Sequence, residues 1–332
     1  MKTSGEKINN PFHPDYNEQD PVFITNNMRM KNIYSKIDII ARSNVSVIIT
    51  GESGTGKEVI AQLIHNKSVR TEQPFVALNC GALPRDLVES ELFGHEKGAF
   101  TGAVNKKKGC FEQADQGTMF FDEIAEMPLD MQVKLLRAVE QRSFRRVGGD
   151  HEVQVDVRII SATNKVFPDV ITQGGFREDL YYRLGVVELD IPPLRERIDD
   201  IQLLSNYFLT YFSEKYKCGK KELTRNTLDV LCGYGWPGNV RELKNIMERL
   251  TILCPQDKIT PEDLPTKICE SEPIPFYDDR MIIPIGTPLE EVEKTMIFRT
   301  LEKVENNKTK AAKLLGFSRK TLHNKLEKFN IG

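Results

Sequence analysis

The sequence predicts an α/β domain with a parallel sheet, then a small all-helical domain, and an all-α domain at the C-terminus. Between residues 21 and 194, short β-branched runs alternate with helical patterns, as in parallel α/β folds. Residues 195–264 carry apolar side chains at helical spacing. Six of the 17 prolines lie from position 261 to 288, a density that helices and central strands do not tolerate, so residues 265–288 are predicted to be a linker. Residues 1–20 are polar and are interpreted as a tail, and residues 289–332 return to a helical pattern.

Composition narrows the class of protein. The 332 residues are 39% hydrophobic and 28% charged, as in ordinary globular proteins, and no apolar run approaches the ~18 residues of a membrane helix. No signal-peptide pattern opens the chain, and the six cysteines include no Cys-x-x-Cys pair. These observations argue against a disulfide framework, a zinc site and a membrane partner, and they indicate a protein of a reducing cytoplasm.

The charge is unevenly distributed. The formal net charge is −2, which excludes a globally basic nucleic-acid binder. The last 32 residues carry eight Lys/Arg against three acids, a balance of 8 − 3 = +5, so the remaining 300 residues carry −7. This basic end is typical either of a nucleic-acid-binding domain or of a solvated, lysine-rich helix pair.

Five strands are predicted in the α/β domain, and the first leads into a glycine-rich loop and a helix. The predicted strands are residues 45–50, 74–79, 118–121, 157–163 and 186–191. The loop reads Gly51, Glu52, Ser53, Gly54, Thr55, Gly56, Lys57 and Glu58. A strand, a GxxxxGK loop and a helix form a phosphate-binding loop, whose backbone N–H groups cradle phosphates while the lysine reaches the β- and γ-phosphates.

One position departs from the general pattern of such loops. Glu58 stands where Ser or Thr usually follows the lysine. Magnesium must then bind phosphates, water, Thr55 or a carboxylate elsewhere. The third predicted strand supplies one, because it ends in Asp122 and Glu123 at the carboxyl edge of the sheet. We expect Asp122 to hold Mg²⁺ or its water, and Glu123 to polarise the attacking water.

Two more strands end in polar residues. Thr163 and Asn164 follow one of them and could sense the γ-phosphate, while Asn79 ends another and could hydrogen-bond a catalytic glutamate. For each of these positions an ordinary end-of-strand cap is an equally good interpretation.

At this point the residues closely resemble the AAA+ domain of sigma-54-dependent transcription activators, the bacterial enhancer-binding proteins of the nitrogen-regulator-C type. The resemblance covers residues 21–264 and resumes at the C-terminus, and the family also carries Glu after the loop lysine. Its motifs here are GESGTGKE (51–58), ESELFGHEKGAFTGA (89–103), GTMFFDEI (117–124), FREDLYYRL (176–184) and GWPGNVREL (235–243).

The resemblance implies a role for each site residue. Residues 52–57 bind ATP, Asp122 and Glu123 form the Walker B pair, and Asn79 is a switch that restrains Glu123. Thr163 and Asn164 belong to sensor I, and Arg241 is the sensor II residue of a helical lid, residues 195–264. Arg177 and Arg183 correspond to arginine fingers that reach a neighbouring subunit's ATP in a ring, usually a hexamer. Surface ion pairs with Glu178 and Asp179 are the alternative role for these two arginines.

Arg241 lies in a segment with a predicted helix start. Trp-Pro-Gly makes a turn, and Asn239 resembles an N-cap with Glu242 completing a capping box. Arg241 would then sit in the first turn, where the helix dipole does not favour a cation. We therefore predict that Arg241 serves a ligand anion.

Gly98, Ala99, Phe100, Thr101, Gly102 and Ala103 form the most diagnostic segment. Small residues around a single aromatic predict a flexible loop with an exposed tip, which often marks a contact surface. The resemblance identifies it as the loop that engages sigma-54, with Phe100 and Thr101 at the tip. Residues 106–108, three lysines, are interpreted as a solvated flank.

The C-terminal pattern is helix, glycine turn, helix. Helices are predicted over residues 289–304, 309–315 and 319–329, with Ser318 as an N-cap and Leu322 and Leu326 facing inward. The segment resembles the Fis-type helix-turn-helix that ends these activators, although a dimerisation hairpin has the same pattern. The predicted contacts to double-stranded DNA are Ser318, Arg319, Lys320, Thr321, His323, Asn324 and Lys325.

Three functions compete at this stage. The first is an ATP-hydrolysing activator that remodels the closed complex of sigma-54 RNA polymerase holoenzyme into an open complex. The second is a DNA-binding regulator that acts by occupancy alone, and the third is a P-loop kinase or other small-molecule NTPase. The loop at 98–103 and Glu123 favour the first. Many relatives carry a receiver or sensory domain before the AAA+ module, so about twenty residues here suggest either control in trans or a shortened chain, and the sequence names no signal or target promoter.

Overall fold

The computed structural model describes residues 23–270, 286–304 and 307–329, and the chain divides into two compact units after residue 273, within the predicted linker. The predicted tail at residues 1–20 and the middle of the predicted linker lie outside the described residues.

The first unit begins with an α/β subdomain. Its helices are α1 (Met28–Ala41), α2 (Lys57–Asn66), α3 (Arg85–Phe93), α4 (Cys110–Gln113), α5 (Leu129–Gln141), α6 (Phe167–Thr172) and α7 (Glu178–Leu184). Its strands are β1 (Val47–Thr50), β2 (Phe75–Asn79), β3 (Gly94–His95), β4 (Lys107–Lys108), β5 (Thr118–Asp122), β6 (Ser143–Arg145), β7 (Glu152–Gln154), β8 (Arg158–Thr163) and β9 (Val187–Asp190).

The five strands predicted from the sequence form one parallel sheet in the order β2-β5-β8-β1-β9. Four of the five predicted runs start one or two residues too early, whereas the run at 118–121 starts correctly and ends one residue short of Asp122. β8 and β1 lie at the centre, so the glycine-rich loop leaves the middle of the sheet. The short pairs β3-β4 and β6-β7 are separate antiparallel ribbons.

Helices cover both faces of the sheet. Val47 and Ile49 of β1 pack towards α1 and α2, whereas Ile48 between them belongs to the cluster formed with α3, α4, α5 and α7. This alternation follows from the period of two in a strand, and burial on both faces explains why the strands read as continuous apolar runs.

A helical subdomain completes the first unit. It contains α8 (Asp199–Lys215), β10 (Glu222–Leu223), α9 (Arg225–Gly233), α10 (Asn239–Leu253), β11 (Lys258–Ile259) and α11 (Thr266–Cys269). Its core surrounds the fully buried Trp236. α11 lies in the segment predicted as linker, yet Ile268 is buried in this core, so the start of the linker at residue 265 is wrong and the helical subdomain continues to at least α11.

The second unit contains the C-terminal helices, which agree with the predicted ones to within one residue. They are α12 (Leu289–Lys303), α13 (Lys308–Leu314) and α14 (Arg319–Lys328). Their core joins Ile297 and Leu301 of α12 to the alanines of α13 and to Leu322 and Leu326, so the predicted inward face of α14 is confirmed.

Candidate functional site

The glycine-rich loop leaves the carboxyl end of β1 and enters the N-terminus of α2. Gly54 has φ +77° in its centre, and its backbone runs so close to the helical subdomain that a Cβ atom there would lie 2.4 Å from the Gly238 carbonyl oxygen. Only glycine combines this conformation with this approach. The loop is therefore shaped by contacts from outside it as well as by its own sequence.

Lys57 lies in the first turn of α2 and is buried. Its Nζ donates hydrogen bonds to the carbonyl oxygens of Gly51 at 2.8 Å and Glu52 at 2.9 Å. Burial lowers the pKa of this amine, and the charge of Asp122 partly opposes that effect. The amine thus lies inside the loop, on the side of the sheet edge where Asp122 ends β5.

Asp122 and Asn79 are paired neighbours at the carboxyl edge of the sheet. Asn79 Nδ2 donates to Asp122 Oδ2 at 3.2 Å, and its Oδ1 accepts the backbone N–H groups of Gly81 and Ala82, each at 2.9 Å. The sequence predicted a hydrogen bond from Asn79 to a catalytic glutamate. In this structure the Asn79 amide donates instead to Asp122, so that prediction does not hold for this state. Adjacent strands in register bring the two strand-end side chains together, whereas Glu123 already lies one residue past the strand.

Glu123 and the sensor I pair lie at the same edge. Glu123 has φ +53° and turns into a short 3₁₀ segment, and its backbone N–H donates to Asp122 Oδ1 at 3.0 Å. Thr163 is buried opposite Thr50 in the register of β8 and β1, and its Oγ1 accepts the Lys165 N–H. Asn164, which follows it, is exposed. The carboxyl ends of β1, β5 and β8 therefore bring the glycine-rich loop, two acids and a polar pair to one edge.

Arg241 lies in the first turn of α10 as predicted, but the predicted cap is wrong. Gly238 is the N-cap residue, and Glu242 Oε2 accepts the N–H of Gly238 at 3.0 Å. Asn239 is already in the helix, has φ +50° and is fully buried. Its amide is used elsewhere, because Nδ2 donates to Glu52 Oε2 at 3.1 Å and to the Ser53 carbonyl at 3.0 Å.

The helical subdomain touches the glycine-rich loop through Arg241 as well. Arg241 Nη1 donates to Ser53 Oγ at 3.0 Å, and its backbone N–H donates to the Gly54 carbonyl at 3.3 Å. The guanidinium is exposed beside the loop that the sequence assigns to phosphates. This position is compatible with a contact to a bound anion.

Two arginines just after β9, Arg195 and Arg197, also reach the loop, and neither was among the predicted site residues. Arg195 makes a bidentate ion pair with Glu52, in which Nη2 donates to Oε1 at 2.6 Å and Nη1 donates to Oε2 at 2.9 Å. Arg197 is buried and donates to the Thr55 carbonyl at 2.8 Å, and burial lowers the pKa of its guanidinium. A usable signal existed, since β9 is a predicted strand and residues after it must lie at the same sheet edge.

Arg177 is the N-cap residue of α7 and Arg183 lies in its last turn, and both are exposed. Arg177 pairs with Asp179 through two hydrogen bonds of 2.6 and 3.0 Å, which raises the pKa of its guanidinium. This is one of the surface ion pairs that the sequence left open. Arg183 makes no ion pair with any of the described residues. Their role in a neighbouring subunit's site stays a prediction.

The loop at residues 98–103 stands on a small base formed by β3 and β4. Gly98 N–H donates to the Ala103 carbonyl at 2.8 Å, which closes the loop, and Gly94 accepts the Val147 N–H beside it. The Phe100 side chain is 41% exposed and lies edge-on to the His95 ring at 4.9 Å. Thr101 and Gly102 are exposed, so the tip is accessible as predicted.

The three lysines after the loop, predicted to be a solvated flank, also take part in strand pairing and ion pairs. Lys107 and Lys108 form β4 and pair with β3. Their side chains are exposed but make ion pairs with Glu91 at 2.6 Å and Glu112 at 3.5 Å, and Lys106 reaches Glu96 at 3.1 Å. The lysines belong to the base of the loop.

In the second unit, α14 presents most of the predicted DNA contacts to solvent. Ser318 Oγ accepts the Thr321 N–H at 3.0 Å and caps the helix as predicted. The exposed residues of the predicted set are Ser318, Arg319, Lys320, Thr321, His323 and Asn324. Lys325 differs, because it pairs with Glu293 of α12 at 2.6 Å and lies over the Phe317 ring. Its contact with DNA stays a prediction, and α12 supplies a competing carboxylate that the local sequence does not reveal.

No helix among the described residues has the length and apolarity needed to cross a membrane. The same part of the chain contains no cluster of three or more histidine, cysteine or acidic residues suited to a metal ion.

Comparisons with protein families cover nearly all of the described chain. The model of the sigma-54 interaction domain matches residues 23–190, that of the AAA+ ATPase lid domain matches residues 195–276, and that of the bacterial regulatory protein, Fis family, matches residues 288–329.

Individual relatives match in sequence and structure. The regulatory protein AtoC of Escherichia coli K12 is 45% identical over 93% of this chain and 68% of its own length, and the transcriptional regulatory protein ZraR of the same organism is 48% identical over 90% and 67%. Among solved structures, NtrX from Brucella abortus in complex with ADP has a TM-score of 0.71 and 34% identity over 94% of this chain and 70% of NtrX. NtrX in complex with ATP gives a TM-score of 0.69 at the same identity. The chain thus belongs to the sigma-54-dependent transcriptional regulators, as an AAA+ ATPase joined to a Fis-type helix-turn-helix domain.

Proposed function

We propose that this protein activates transcription by using ATP hydrolysis to remodel closed complexes of sigma-54 RNA polymerase holoenzyme into open complexes, from upstream DNA sites in the bacterial cytoplasm. One observation carries the proposal. The α/β subdomain brings the glycine-rich loop and the acids at the end of β5 to one sheet edge, and it carries an exposed Phe100–Thr101 tip on the separate β3–β4 base.

The ATP site has a defined role for each group. The backbone N–H groups of residues 52–57 surround the phosphates, and Lys57 moves from the loop carbonyls to the β- and γ-phosphate oxygens. Asn164, which follows β8, and Arg241 of α10 contact the phosphate end. Glu123 accepts the proton of the attacking water at its carboxylate, and the loop excludes competing water around it.

The donor set fits Mg²⁺. Asp122 is one hard carboxylate at the sheet edge, held in place by Asn79 and by the N–H of Glu123. A single carboxylate with phosphate oxygens and waters is the usual set for Mg²⁺ in nucleotide sites. When bound, Mg²⁺ would neutralise part of the phosphate charge. This set of ligands does not require the Glu58 carboxylate.

We propose that ATP hydrolysis requires copies of this chain to assemble into a hexameric ring. Arg177 and Arg183 are exposed, and a guanidinium delivered by a neighbouring subunit stabilises charge on the γ-phosphoryl group, worth about 10³–10⁵ in rate in characterised cases. Arg177 must then exchange its Asp179 partner for phosphate. Assembly therefore switches the ATPase on.

The experiment that tests the proposed output is the Thr101→Ala variant. We expect it to retain ATPase activity within about twofold and to lose open-complex formation, because Thr101 is exposed at the tip and forms no side-chain hydrogen bond with the ATP-site residues that the structure describes. Permanganate footprinting on a supercoiled sigma-54 promoter measures opening, and phosphate release measures hydrolysis. Thr101→Ser, which keeps the hydroxyl, is the matched control. Promoter opening by the alanine variant would refute the role of the loop, and loss of hydrolysis would show that the tip serves the ATP site.

DNA binding is tested separately on α14. Arg319→Ala with Asn324→Ala is expected to weaken specific binding about tenfold or more, because each good base contact contributes ~1–3 kcal/mol, while ATPase activity stays unchanged. Lys328→Ala removes one positive charge from the same helix, but Lys328 pairs with Glu290 at 2.7 Å, so it is the matched control and should change affinity little. A gel shift at fixed salt measures all three proteins. Unchanged binding by the double variant would contradict the assignment of α14.

A further inference from the structure

The start of α10 is fastened to the glycine-rich loop by a buried amide. Asn239 accepts the Leu194 N–H at 2.7 Å through Oδ1 and donates both Nδ2 protons, to Glu52 Oε2 and to the Ser53 carbonyl. The residue is fully buried at φ +50°, a conformation that asparagine tolerates better than most residues. Its amide therefore joins three chain segments: the loop, the connection after β9, and α10.

Asparagine is required by this arrangement. The site demands an acceptor on one side and two donors on the other, which an amide provides and a carboxylate does not. An aspartate of the same shape would direct an oxygen at the Glu52 carboxylate and at the Ser53 carbonyl. Removing a buried donor while leaving its acceptors unpaired is costlier than the bond itself.

Glu52 provides a charged acceptor for this amide. Its hydrogen bonds with Arg195 lower the pKa of the Glu52 carboxyl, so the group stays ionised at neutral pH. The ion pair itself is partly exposed and contributes little to stability. Its effect is to hold the carboxylate in the direction of Asn239.

Arg241 follows Asn239 by two residues on the same helical turn. Its guanidinium reaches Ser53 Oγ and its backbone N–H reaches the Gly54 carbonyl. Asn239 Nδ2 donates to the backbone carbonyl of the same Ser53. Residues 52–54 of the loop and residues 239–241 of the helical subdomain thus form one hydrogen-bonded unit.

We infer that Asn239, held by Glu52, is a positioning residue that fixes Arg241 against the glycine-rich loop, so that the helical subdomain follows the loop's conformation during ATP turnover. The inference rests on the proposed contact of Arg241 with phosphate. The Asn239 amide is fully engaged by Leu194, Glu52 and Ser53, so its effect on the nucleotide is exerted through Arg241.

The test is a double-mutant cycle on the full chain, with equilibrium binding of a fluorescent ATP analogue, kcat, KM and thermal unfolding. Asn239→Asp is expected to weaken nucleotide binding about tenfold, the size of a lost charge-assisted buried hydrogen bond, and to raise KM more than it lowers kcat. Combining it with Glu52→Gln, whose amide donates to the new carboxylate, should recover at least about threefold.

The Arg241→Ala background separates positioning from folding. If Asn239 acts through Arg241, Asn239→Asp should change affinity less than twofold once Arg241 is absent. An equal loss in both backgrounds, accompanied by a lower melting temperature, would overturn the inference and assign Asn239 a purely structural role. If Arg241→Ala alone leaves nucleotide affinity unchanged, the proposed contact of Arg241 with phosphate is refuted. That outcome is distinguishable from failure of the positioning role of Asn239.

A second variant keeps the test decisive if Asn239→Asp does not fold. Glu52→Gln changes a partly exposed side chain and keeps its shape, so folding is preserved. It should weaken binding about threefold when Arg241 is present and have no effect in the Arg241→Ala background. An equal effect in both backgrounds would again overturn the inference.

Discussion

Two glycine-bearing loops in the first unit use the same residue type for different physical reasons. At Gly54 of the nucleotide loop, a Cβ would lie 2.4 Å from a backbone oxygen of the helical subdomain. At Gly102 of the loop at 98–103, a Cβ would meet no atom within 4 Å, and only φ +109° favours glycine. The first loop is fixed by its neighbours, whereas the second is shaped by its own backbone and a small base.

The difference matches the two proposed tasks. A phosphate site must hold its N–H groups in place before the nucleotide binds, and the hydrogen bonds of Arg197 with the Thr55 carbonyl and of Arg241 with Ser53 and Gly54 restrain this loop. A contact loop must reach a partner, so its tip needs exposed side chains and few restraints. Substitutions can test whether the two loops are as different as the contacts indicate.

The largest effect is expected for Lys57→Ala. Loss of the cation that reaches the phosphates should lower the rate of phosphate release at least about 100-fold. Lys107→Ala is the matched control, because it removes a lysine from the base of the other loop and should leave the rate within about twofold. A comparable loss in both variants would show that the two loops are coupled more tightly than their contacts indicate.

The next largest effect is expected for Gly54→Ala. The added methyl group combines a left-handed backbone with a clash against the Gly238 carbonyl, so we expect about 2–3 kcal/mol of destabilisation and weaker nucleotide binding. Urea unfolding and equilibrium nucleotide binding measure the two effects. A variant with unchanged affinity would mean that the helical subdomain can withdraw from the loop at little cost.

Gly102→Ala should be milder. The methyl group has open space and the cost is the left-handed conformation alone, about 1–2 kcal/mol within the loop. ATPase activity should stay within about twofold, while promoter opening falls because the tip changes shape. Equal losses of hydrolysis for this variant and for Gly54→Ala would erase the distinction between the loops.

The smallest effect is expected for Glu91→Gln, which breaks the 2.6 Å ion pair with Lys107 at the base of the second loop. Exposed pairs of this kind contribute less than about 0.5 kcal/mol, so the urea midpoint should barely move. A loss above about 1.5 kcal/mol would show that ion pairs, and not the β3–β4 backbone, hold that base together.

The local features could be predicted from the sequence because their causes are local. The five strands follow from β-branched runs, the nucleotide loop from its glycine spacing, and the cap at Ser318 from a hydroxyl three residues before its N–H partner. The strand ends were also sufficient to place Asp122, Asn79 and Thr163 at one edge, since parallel strands share that edge.

The hydrogen-bond and ion-pair partners of these side chains could not be predicted from the sequence. Asn79 bonds Asp122 because β2 and β5 pair in that register, and Lys325 turns to Glu293 because α12 packs beside α14. Asn239 matched a cap by its local pattern, but its amide serves a residue 187 positions away.

The sequence by itself therefore determined the elements, the motifs and the chemistry available at each strand end. The tertiary structure decided which side chains meet, which cations are already neutralised and which glycines are sterically required. The physical reason is distance along the chain: propensity and spacing act within a turn or a strand, whereas hydrogen bonds such as that of Asn239 with Glu52 exist only after the subdomains have packed.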